Sequence, residues 1–368
     1  MTEARRIVAN LLFLLPVSGG SGGAHSVMQE ADAMRTLGVD AMIATNQDNA
    51  ARLRRSYRDL RSIQNFVNAY QGAEGLAKLI TRLRPDVVVA TTAHSVHVLD
   101  AALRSADLLG VQRTAYYIQD YEPLFYPRGS SDWLLAYSSY AKIAGMLLFA
   151  KTRWLQEVVA NNHGLSVAKV EPSVDHHVFH PDVALRHGRQ GKLQVVAMLR
   201  PATPRRAPRR TARLMSLIAA NFGERVECIT FGCAPEELRA NALRLAGVEH
   251  VGTLARSDVG DLFRSADLFL DLSDFQAFGR TAIEAMACGA TAIVPAHGGS
   301  YEFARDGRNC FVVDTRSDDL VMAVFERWLD MPDSDRAAMM MEAIRAAYRY
   351  SPDAAALSEI DVLSRTGG

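Results

Sequence analysis

QAFGRTAIEAMACGATAIVPAHGG, from Gln276 to Gly299, contains a turn, a helix and a strand in immediate succession. The Phe-Gly pair predicts a tight turn, Thr281 to Cys288 predicts a short helix that a glycine ends, and Thr291 to Pro295 predicts a buried strand. Such units build open parallel sheets, in which ligands bind at the carboxyl ends of the strands. Because the helix carries Glu284, the pattern predicts a carboxylate at this edge of a sheet.

The same alternation of apolar strands and amphipathic helices extends through the rest of the chain. A first series begins with the strand Val8 to Leu15, and a second begins with Leu193 to Met198, after a turn-rich segment that ends at Pro181. A chain of 368 residues is also longer than one ordinary core supports. We therefore expect an α/β protein with two doubly wound, Rossmann-like domains over 1–181 and 182–348, followed by a terminal helix over 349–368.

The period of the apolar residues predicts individual elements within these domains. In the first domain the expected strands include Asp40 to Thr45, Asp86 to Ala90, Arg113 to Ile118 and Gly145 to Phe149. In the second domain the expected strands include Val226 to Phe231 and Leu268 to Leu272. The expected helices there include Pro235 to Leu245, Asp258 to Ser265 and Ser334 to Tyr348.

Charge and cysteine content restrict the class of protein. The 41 basic and 41 acidic residues cancel, so no overall field favours binding to nucleic acid. Four cysteines lie in apolar runs without the spacing of metal ligands, which indicates reduced core residues of a cytoplasmic protein. The apolar start Ile7 to Val17 is predicted as a buried strand rather than a signal peptide, and no run approaches the roughly 20 apolar residues of a membrane span. Peripheral contact with the inner face of a membrane, through an arginine-rich face, stays open.

The segment that begins at Gln276 and ends at Glu302 resembles the sequence EGFGxxxxEAMACGxPVVAxxxGGxxE of the retaining glycosyltransferases of the family-4 type. The resemblance runs over nearly the whole chain. It implies the GT-B fold, in which two Rossmann-like domains face a cleft and the terminal helices cross back to the first domain. It also implies a donor-binding site for a nucleoside diphosphate sugar, formed by Glu284 at the ribose and by Phe278, Gly279, Gly298 and Gly299.

Two departures from the family concern the sugar rather than the nucleotide. Gln276 stands where the family has a glutamate that faces the donor sugar. Gln119, in YYIQDYEPLFYP (116–127), stands where many members have a histidine that approaches the transferred sugar, whereas Asp120 after it is retained. These phrases are most similar to the rhamnan-synthesis subgroup, whose members use dTDP-rhamnose. Neutral amides and aromatic rings suit a 6-deoxy sugar.

The stretch RPATPRRAPRRTAR, from Arg200 to Arg213, places six arginines directly after a predicted strand. Guanidinium groups offer bidentate donors that suit phosphate oxygens. In the family an arginine at the strand end and a lysine five residues later reach the diphosphate, which implies this role for Arg200 and Arg205. Arg209, Arg210 and the last arginine of the stretch are expected on a solvated face.

The run SGGSGG at 18–23 lies between the first strand and the first helix, where backbone amides can meet an anion. The dinucleotide fingerprint GxGxxG is absent, because the run reads GGSGGA. The resemblance implies instead that Gly22 and Gly23 approach the donor diphosphate.

The histidines offer weaker signals. His94, on a predicted loop, is a candidate contact to the sugar or acceptor, although a lone histidine is more often structural. Asp175, His176, His177 and His180 are interpreted as an interdomain turn rather than a metal site. Glu302 matches the last glutamate of the family segment, and a structural role in the following turn stays open for it.

The sequence thus predicts a metal-independent glycosyltransferase that needs no cofactor and moves a sugar, with rhamnose as a candidate, from a dTDP- or UDP-linked donor to a glycan or lipid-linked acceptor. The proposed catalytic residues are Arg200, Arg205, Gln276 and Asp120. The alternatives are a catalytically silent nucleotide-binding scaffold, favoured by the exchanges at Gln276 and Gln119, and an enzyme related to nucleotide-sugar epimerases.

Overall fold

A computed structural model describes residues 7–17, 19, 22–110, 112–182 and 191–365. Ser18, Gly20 and Ser21 of the predicted glycine loop lie outside these ranges. The chain divides into two compact units, the first comprising Met1–Ser173 with Tyr350–Gly368 and the second comprising Val174–Arg349. The division thus falls after Ser173, before the Pro181 expected from the sequence.

The first unit is built on a parallel sheet of seven strands in the order β3-β2-β1-β4-β5-β6-β7. Its strands are β1 (Asn10–Leu14), β2 (Asp40–Asn46), β3 (Val67–Tyr70), β4 (Val87–Ala90), β5 (Arg113–Ile118), β6 (Leu147–Ala150) and β7 (Ala168–Lys169). Its helices up to the division are α1 (Gly22–Thr36), α2 (Gln47–Ser56), α3 (Gly72–Leu83), α4 (Ala93–Ser105), α5 (Ser131–Ser138) and α6 (Arg153–His163). The strand order reverses between β1 and β4, which is where ligands bind in doubly wound folds.

The second unit is built on a parallel sheet of six strands in the order β10-β9-β8-β11-β12-β13. Its strands are β8 (Leu193–Met198), β9 (Val226–Phe231), β10 (Val248–His250), β11 (Leu268–Leu270), β12 (Thr291–Pro295) and β13 (Phe311–Val313). Its helices are α7 (Pro208–Phe222), α8 (Pro235–Ala240), α9 (Arg256–Ser265), α10 (Arg280–Ala287), α11 (Asp318–Leu329) and α12 (Asp333–Ala347). Here the order reverses between β8 and β11. The predicted α/β architecture with two parallel sheets is confirmed.

The last helix, α13 (Pro352–Ser364), belongs to the first unit although it follows the second in the chain. Ala356, Val362 and Leu363 are buried in the core that α1 shares with the sheet. The Val8 amide donates to Ser364 Oγ over 3.1 Å, and the Arg113 guanidinium donates to the Leu363 carbonyl oxygen over 2.7 Å. The terminal segment therefore completes the first domain, as the resemblance implied.

Several elements differ from the sequence-based expectation. The strand expected over Leu268 to Leu272 ends at Leu270, which leaves Asp271 just beyond the carboxyl end of β11. The helix expected over Pro235 to Leu245 ends at Ala240. All four cysteines are buried and free, as expected. In the described ranges, no helix is both long enough and apolar enough to cross a membrane.

Candidate active site

The two loops that follow β8 and β11 lie side by side at the carboxyl edge of the second sheet. The Asp274 amide donates to the Arg205 carbonyl oxygen over 2.8 Å, and the Arg210 guanidinium donates to the Leu272 carbonyl oxygen at the same distance. Arg210 also pairs with the Asp274 carboxylate at 2.5 Å. Arg210 was expected on a solvated face, but it is largely buried in the first turn of α7 and joins that helix to the loop after β11.

The two arginines expected at the diphosphate differ in their surroundings. Arg200 follows β8 and is exposed, and its guanidinium makes no hydrogen bond or ion pair with any described residue. Arg205 is half-buried in a short 3-10 turn, with its guanidinium carbon 5.7 Å from the centre of the Phe275 ring. Arg200 therefore offers free donors at the point where the strand order reverses, whereas Arg205 packs into the loop.

Gln276 lies in a buried polar cluster with Asp271 and Ser273. Its Nε2 donates to Asp271 Oδ2 over 2.7 Å and to Ser273 Oγ over 3.0 Å. Ser273 Oγ in turn donates to Asp271 Oδ1 over 2.5 Å. The three side chains are between 2% and 6% exposed, so Asp271 brings a carboxylate into the site that the sequence-based interpretation missed.

The glycine turn after β12 packs directly on the main chain of Gln276. Gly298 has φ 101° and ψ −160°, a conformation that favours glycine. A Cβ atom at Gly298 would lie 2.1 Å from the Gln276 carbonyl oxygen and 2.7 Å from its nitrogen. The Gly299 amide donates to that oxygen over 2.6 Å. This bond occupies the Gly299 amide, so the turn fixes Gln276 in place rather than offering that donor to a phosphate.

Gly279 and Phe278 form the turn that leads into α10. Gly279 has φ 94°, and a Cβ atom there would lie 3.1 Å from Ser300 Oγ. The Phe278 ring packs edge-on against Phe303, with 5.4 Å between the ring centres. Glu302 is partly buried at the end of the short 3-10 turn Gly299–Glu302. The predicted turn residues therefore meet one another around the start of α10.

Glu284 lies on α10 and is 7% exposed. Arg280 Nη1 is 3.3 Å from Glu284 Oε1, and no described residue forms a hydrogen bond with Oε2. Burial raises the pKa of Glu284, while Arg280 and Arg256 act in the opposite direction. Asp175, expected in an interdomain turn, pairs with Arg256 at 2.8 Å. One carboxylate oxygen of Glu284 is thus held by the protein and the other can accept from a ligand hydroxyl.

In the first unit, the structure brings Gly23 and Gln119 together. Both glycines of the predicted pair lie in the first turn of α1, and a Cβ atom at Gly23 would contact Gln119 Cγ at 3.4 Å. Lys151, just after β6, is 5% exposed and donates to Gln119 Oε1 over 2.8 Å and to Ser26 Oγ over 2.5 Å. The buried Nε2 of Gln119 has no hydrogen-bond partner among the described residues.

His94 lies in the first turn of α4, and Asp120 lies between the end of β5 and Glu122, the residue that contacts this turn. Glu122 Oε1 accepts from the Ala93 amide over 2.8 Å. Burial, with a smaller contribution from the charge of Asp120, raises the pKa of Glu122 to about 7. His94 was expected on a loop, but it lies exposed in the first turn of α4. Asp120 Oδ1 accepts from the amide of the next residue over 2.9 Å.

Lys151, Asp271 and Ser273 are the buried polar residues that sequence reasoning did not select for the site. Asp271 interrupts the apolar run FLDL, which was the one available signal for it. The contacts of Lys151 join residues 32 and 125 positions apart, and no local pattern reveals such contacts.

Residues 186–347 match the family model described as "Glycosyl transferases group 1". Over 201 residues the chain is 29% identical to the O-antigen biosynthesis protein RfbC of Myxococcus xanthus, a match that covers 54% of this chain and 15% of that protein. Over 63 residues it is 43% identical to mannosylfructose-phosphate synthase of Agrobacterium fabrum, covering 17% of this chain and 14% of that enzyme. The chain therefore matches only a small part of each curated relative.

Solved structures resemble the chain over almost its whole length. Alr3699/HepE of Anabaena, in complex with UDP and glucose, superposes with a TM-score of 0.76 at 18% identity, covering 97% of this chain and 100% of that one. Sucrose-phosphate synthase of Thermosynechococcus elongatus superposes with a TM-score of 0.75 at 13% identity, covering 95% and 97%. The chain therefore has the GT-B fold of these structures, and its residues 186–347 match the Glycosyl transferases group 1 family.

Proposed function

We propose that the protein is a retaining glycosyltransferase that moves a sugar, with L-rhamnose as the first candidate, from a nucleoside diphosphate donor to a hydroxyl group of a glycan or lipid-linked acceptor. The observation that carries the proposal is the exposed guanidinium of Arg200, which has no hydrogen-bond partner among the described residues; it lies at the point of strand reversal in the second sheet, on a loop joined to the polar loop Asp271 to Gln276. This site lies within the residues that match the glycosyltransferase family.

The chemistry follows from the charges in this region. Negative charge accumulates on the diphosphate as the glycosidic bond breaks, and guanidinium donors stabilise it in the transition state. The acceptor hydroxyl then attacks on the face that the diphosphate leaves, and a phosphate oxygen takes its proton. This route retains the anomeric configuration and needs no nucleophile from the protein.

The second contact of the donor is the ribose, for which Glu284 is the proposed acceptor. Its Oε2 has no hydrogen-bond partner in the described part of the chain, and Arg280 holds the other oxygen, so the carboxylate is oriented before the ligand arrives. The preference for rhamnose is supported by the neutral amide of Gln276 at the position where the family has a glutamate. A 6-deoxy sugar carries one hydroxyl fewer and a methyl group, and a neutral environment suits it.

The proposal is tested by incubating the protein with dTDP-rhamnose and with UDP-glucose and measuring nucleoside diphosphate release, with and without saccharide acceptors. Arg200→Ala is expected to lower kcat at saturating donor by about tenfold or more, because its partner gains charge in the transition state. Arg213→Ala is the matched control, since Arg213 comes from the same arginine-rich stretch but pairs with the half-buried Asp318.

Equal activities of the Arg200 and Arg213 variants would contradict the proposed role of Arg200. Binding of a nucleotide sugar with no release of nucleoside diphosphate under any condition would favour a silent scaffold. The anomeric configuration of the product, read by nuclear magnetic resonance, decides between retention and inversion.

A further inference from the structure

We propose that Asp271 is a positioning residue that orients the Gln276 amide, so that Gln276 offers its carbonyl oxygen as a neutral acceptor to a hydroxyl group of the donor sugar. The inference rests on the proposed function, because it assumes that a sugar occupies this edge of the second sheet. It adds a residue that neither the family segment nor the sequence pattern assigns to the site.

The orientation of the amide follows from hydrogen-bond chemistry. An ionised carboxylate only accepts hydrogen bonds, so the group of Gln276 that lies 2.7 Å from Asp271 Oδ2 must be the NH2 group. Ser273 strengthens this choice, because its hydroxyl donates to Asp271 Oδ1 and is then free to accept from Gln276 Nε2. Turning the amide would place its oxygen against Asp271 Oδ2, and Ser273 could donate to that oxygen only by giving up its bond to Asp271 Oδ1.

The carbonyl oxygen of Gln276 is consequently the group left for a ligand. Gln276 is only 4% exposed, yet no described residue donates a hydrogen bond to its Oε1. The oxygen itself keeps some contact with solvent, because it is not among the fully buried side-chain atoms that lack a partner, so a hydroxyl group of a bound ligand can reach it and donate to it. The main chain of Gln276 is held in place, because the Gly298 turn packs on it and the Gly299 amide donates to its carbonyl oxygen.

The same geometry explains why a glutamine occupies this position. A glutamate at 276 would bring a second carboxylate within about 3 Å of the buried Asp271, where the two charges repel strongly. The negative charge therefore lies on Asp271, which is hydrogen-bonded to the amide nitrogen of Gln276, and the proposed acceptor for the sugar is the neutral Oε1 of Gln276. Such a site selects a hydroxyl donor without attracting a cationic group.

A double-mutant cycle tests the inference; its four proteins are the wild type, Gln276→Glu, Asp271→Asn and the double variant. Gln276→Glu is expected to lower kcat/KM for the donor by about tenfold or more, because one hydrogen bond is lost and a like charge is added. Asp271→Asn is expected to lower it by about threefold to tenfold, because the amide of Gln276 can then turn either way. The double variant should recover most of the loss of Gln276→Glu, since the introduced asparagine amide can donate to the new carboxylate and only one charge remains.

Asp318→Asn is the control for removal of an acidic residue from the same unit, and it should leave kcat/KM unchanged. Thermal unfolding of each protein separates loss of activity from loss of fold. If the effects of the two single variants multiply in the double variant, with no recovery, Asp271 does not orient Gln276 and the inference is overturned.

A measurement without substrate separates this inference from the proposed function. The side-chain amide protons of Gln276, assigned by their absence in Gln276→Ala, should be protected from solvent exchange in the wild type and lose that protection in Asp271→Asn. Unchanged protection overturns the inference. If the wild type neither binds nor cleaves a nucleotide sugar, the proposed function fails, whereas the orientation of the amide is still decided by this experiment.

Discussion

Replacement of Gly298 by alanine tests whether the glycine turn is what fixes Gln276. The added Cβ would lie 2.1 Å from the Gln276 carbonyl oxygen, whereas ordinary contacts begin at 3.4 Å, so the two backbone segments must separate by roughly 1 Å. This movement lengthens the bond from the Gly299 amide to the same oxygen. Backbone strain of about 1–3 kcal/mol, a steric cost of about 1–3 kcal/mol and a weakened hydrogen bond of about 1 kcal/mol together predict a loss of about 3–7 kcal/mol in the free energy of unfolding.

Gly307→Ala is the matched control. Gly307 also has a positive φ, 68°, but the nearest atom to its Cβ would be 3.9 Å away. We expect this variant to lose only about 1 kcal/mol, from backbone strain alone. The difference between the two variants isolates the contact with Gln276.

Urea unfolding followed by tryptophan fluorescence measures this difference. Trp328 is the one tryptophan of the second unit, so a background with Trp133→Phe and Trp154→Phe reports on that unit alone. Gly298→Ala should lower the midpoint clearly further than Gly307→Ala. If the two variants lose the same free energy, the contact between Gly298 and Gln276 does not constrain the site, and the argument for a fixed Gln276 main chain fails.

Three further predictions concern single side chains. Glu284→Ala should weaken nucleoside diphosphate binding in titration calorimetry by about 1–3 kcal/mol, through loss of the ribose acceptor, and unchanged affinity in a folded variant would refute that assignment. The pKa of Glu122 is raised to about 7, so its contribution to the free energy of unfolding is present below about pH 4.5 and is lost as the pH rises through 7. The Glu122→Gln variant does not undergo this loss, so it should be more stable than the wild type by about 3 kcal/mol near pH 8. Denaturation at several pH values measures the difference. If Lys151 acts by holding the Gln119 amide, Lys151→Met should lower kcat/KM about tenfold in the wild type but only slightly in a Gln119→Met background. Equal effects in both backgrounds would show that Lys151 has a merely structural role.

The sequence was sufficient for the layers of the fold because most of its strands are predominantly apolar. Arg113–Ile118, Leu193–Met198 and Val226–Phe231 are found with the expected bounds. Buried parallel strands need such runs on both faces, which makes them easy to recognise. The short strand β3 and the polar helix α2 were not expected, since neither shows a repeat of apolar residues that distinguishes it from the neighbouring sequence.

The side-chain contacts of the site could not be read in the same way. The strand was expected to extend to Leu272, so Asp271 was expected to be a polar residue within it. In the structure β11 ends at Leu270, which places the Asp271 carboxylate in the following loop. The need for glycine at Gly298 comes from Gln276, 22 positions earlier, and depends on a bridge between two loops. Sequence reasoning finds residues that a local pattern marks, whereas pairs formed by the tertiary structure require coordinates.

The position of α13 affects how the protein can fold during synthesis. The second unit is one continuous segment, Val174–Arg349, so it can complete its core as soon as that segment has left the ribosome. The first unit waits for Pro352–Ser364, although its sheet is synthesised first. Until that helix arrives, the α1 face that it covers stays open to water, including the buried Glu30, which later lies beside Glu359. We therefore expect the first unit to complete its fold after the second, so that during translation its N-terminal part is exposed to chaperones and proteases for longer.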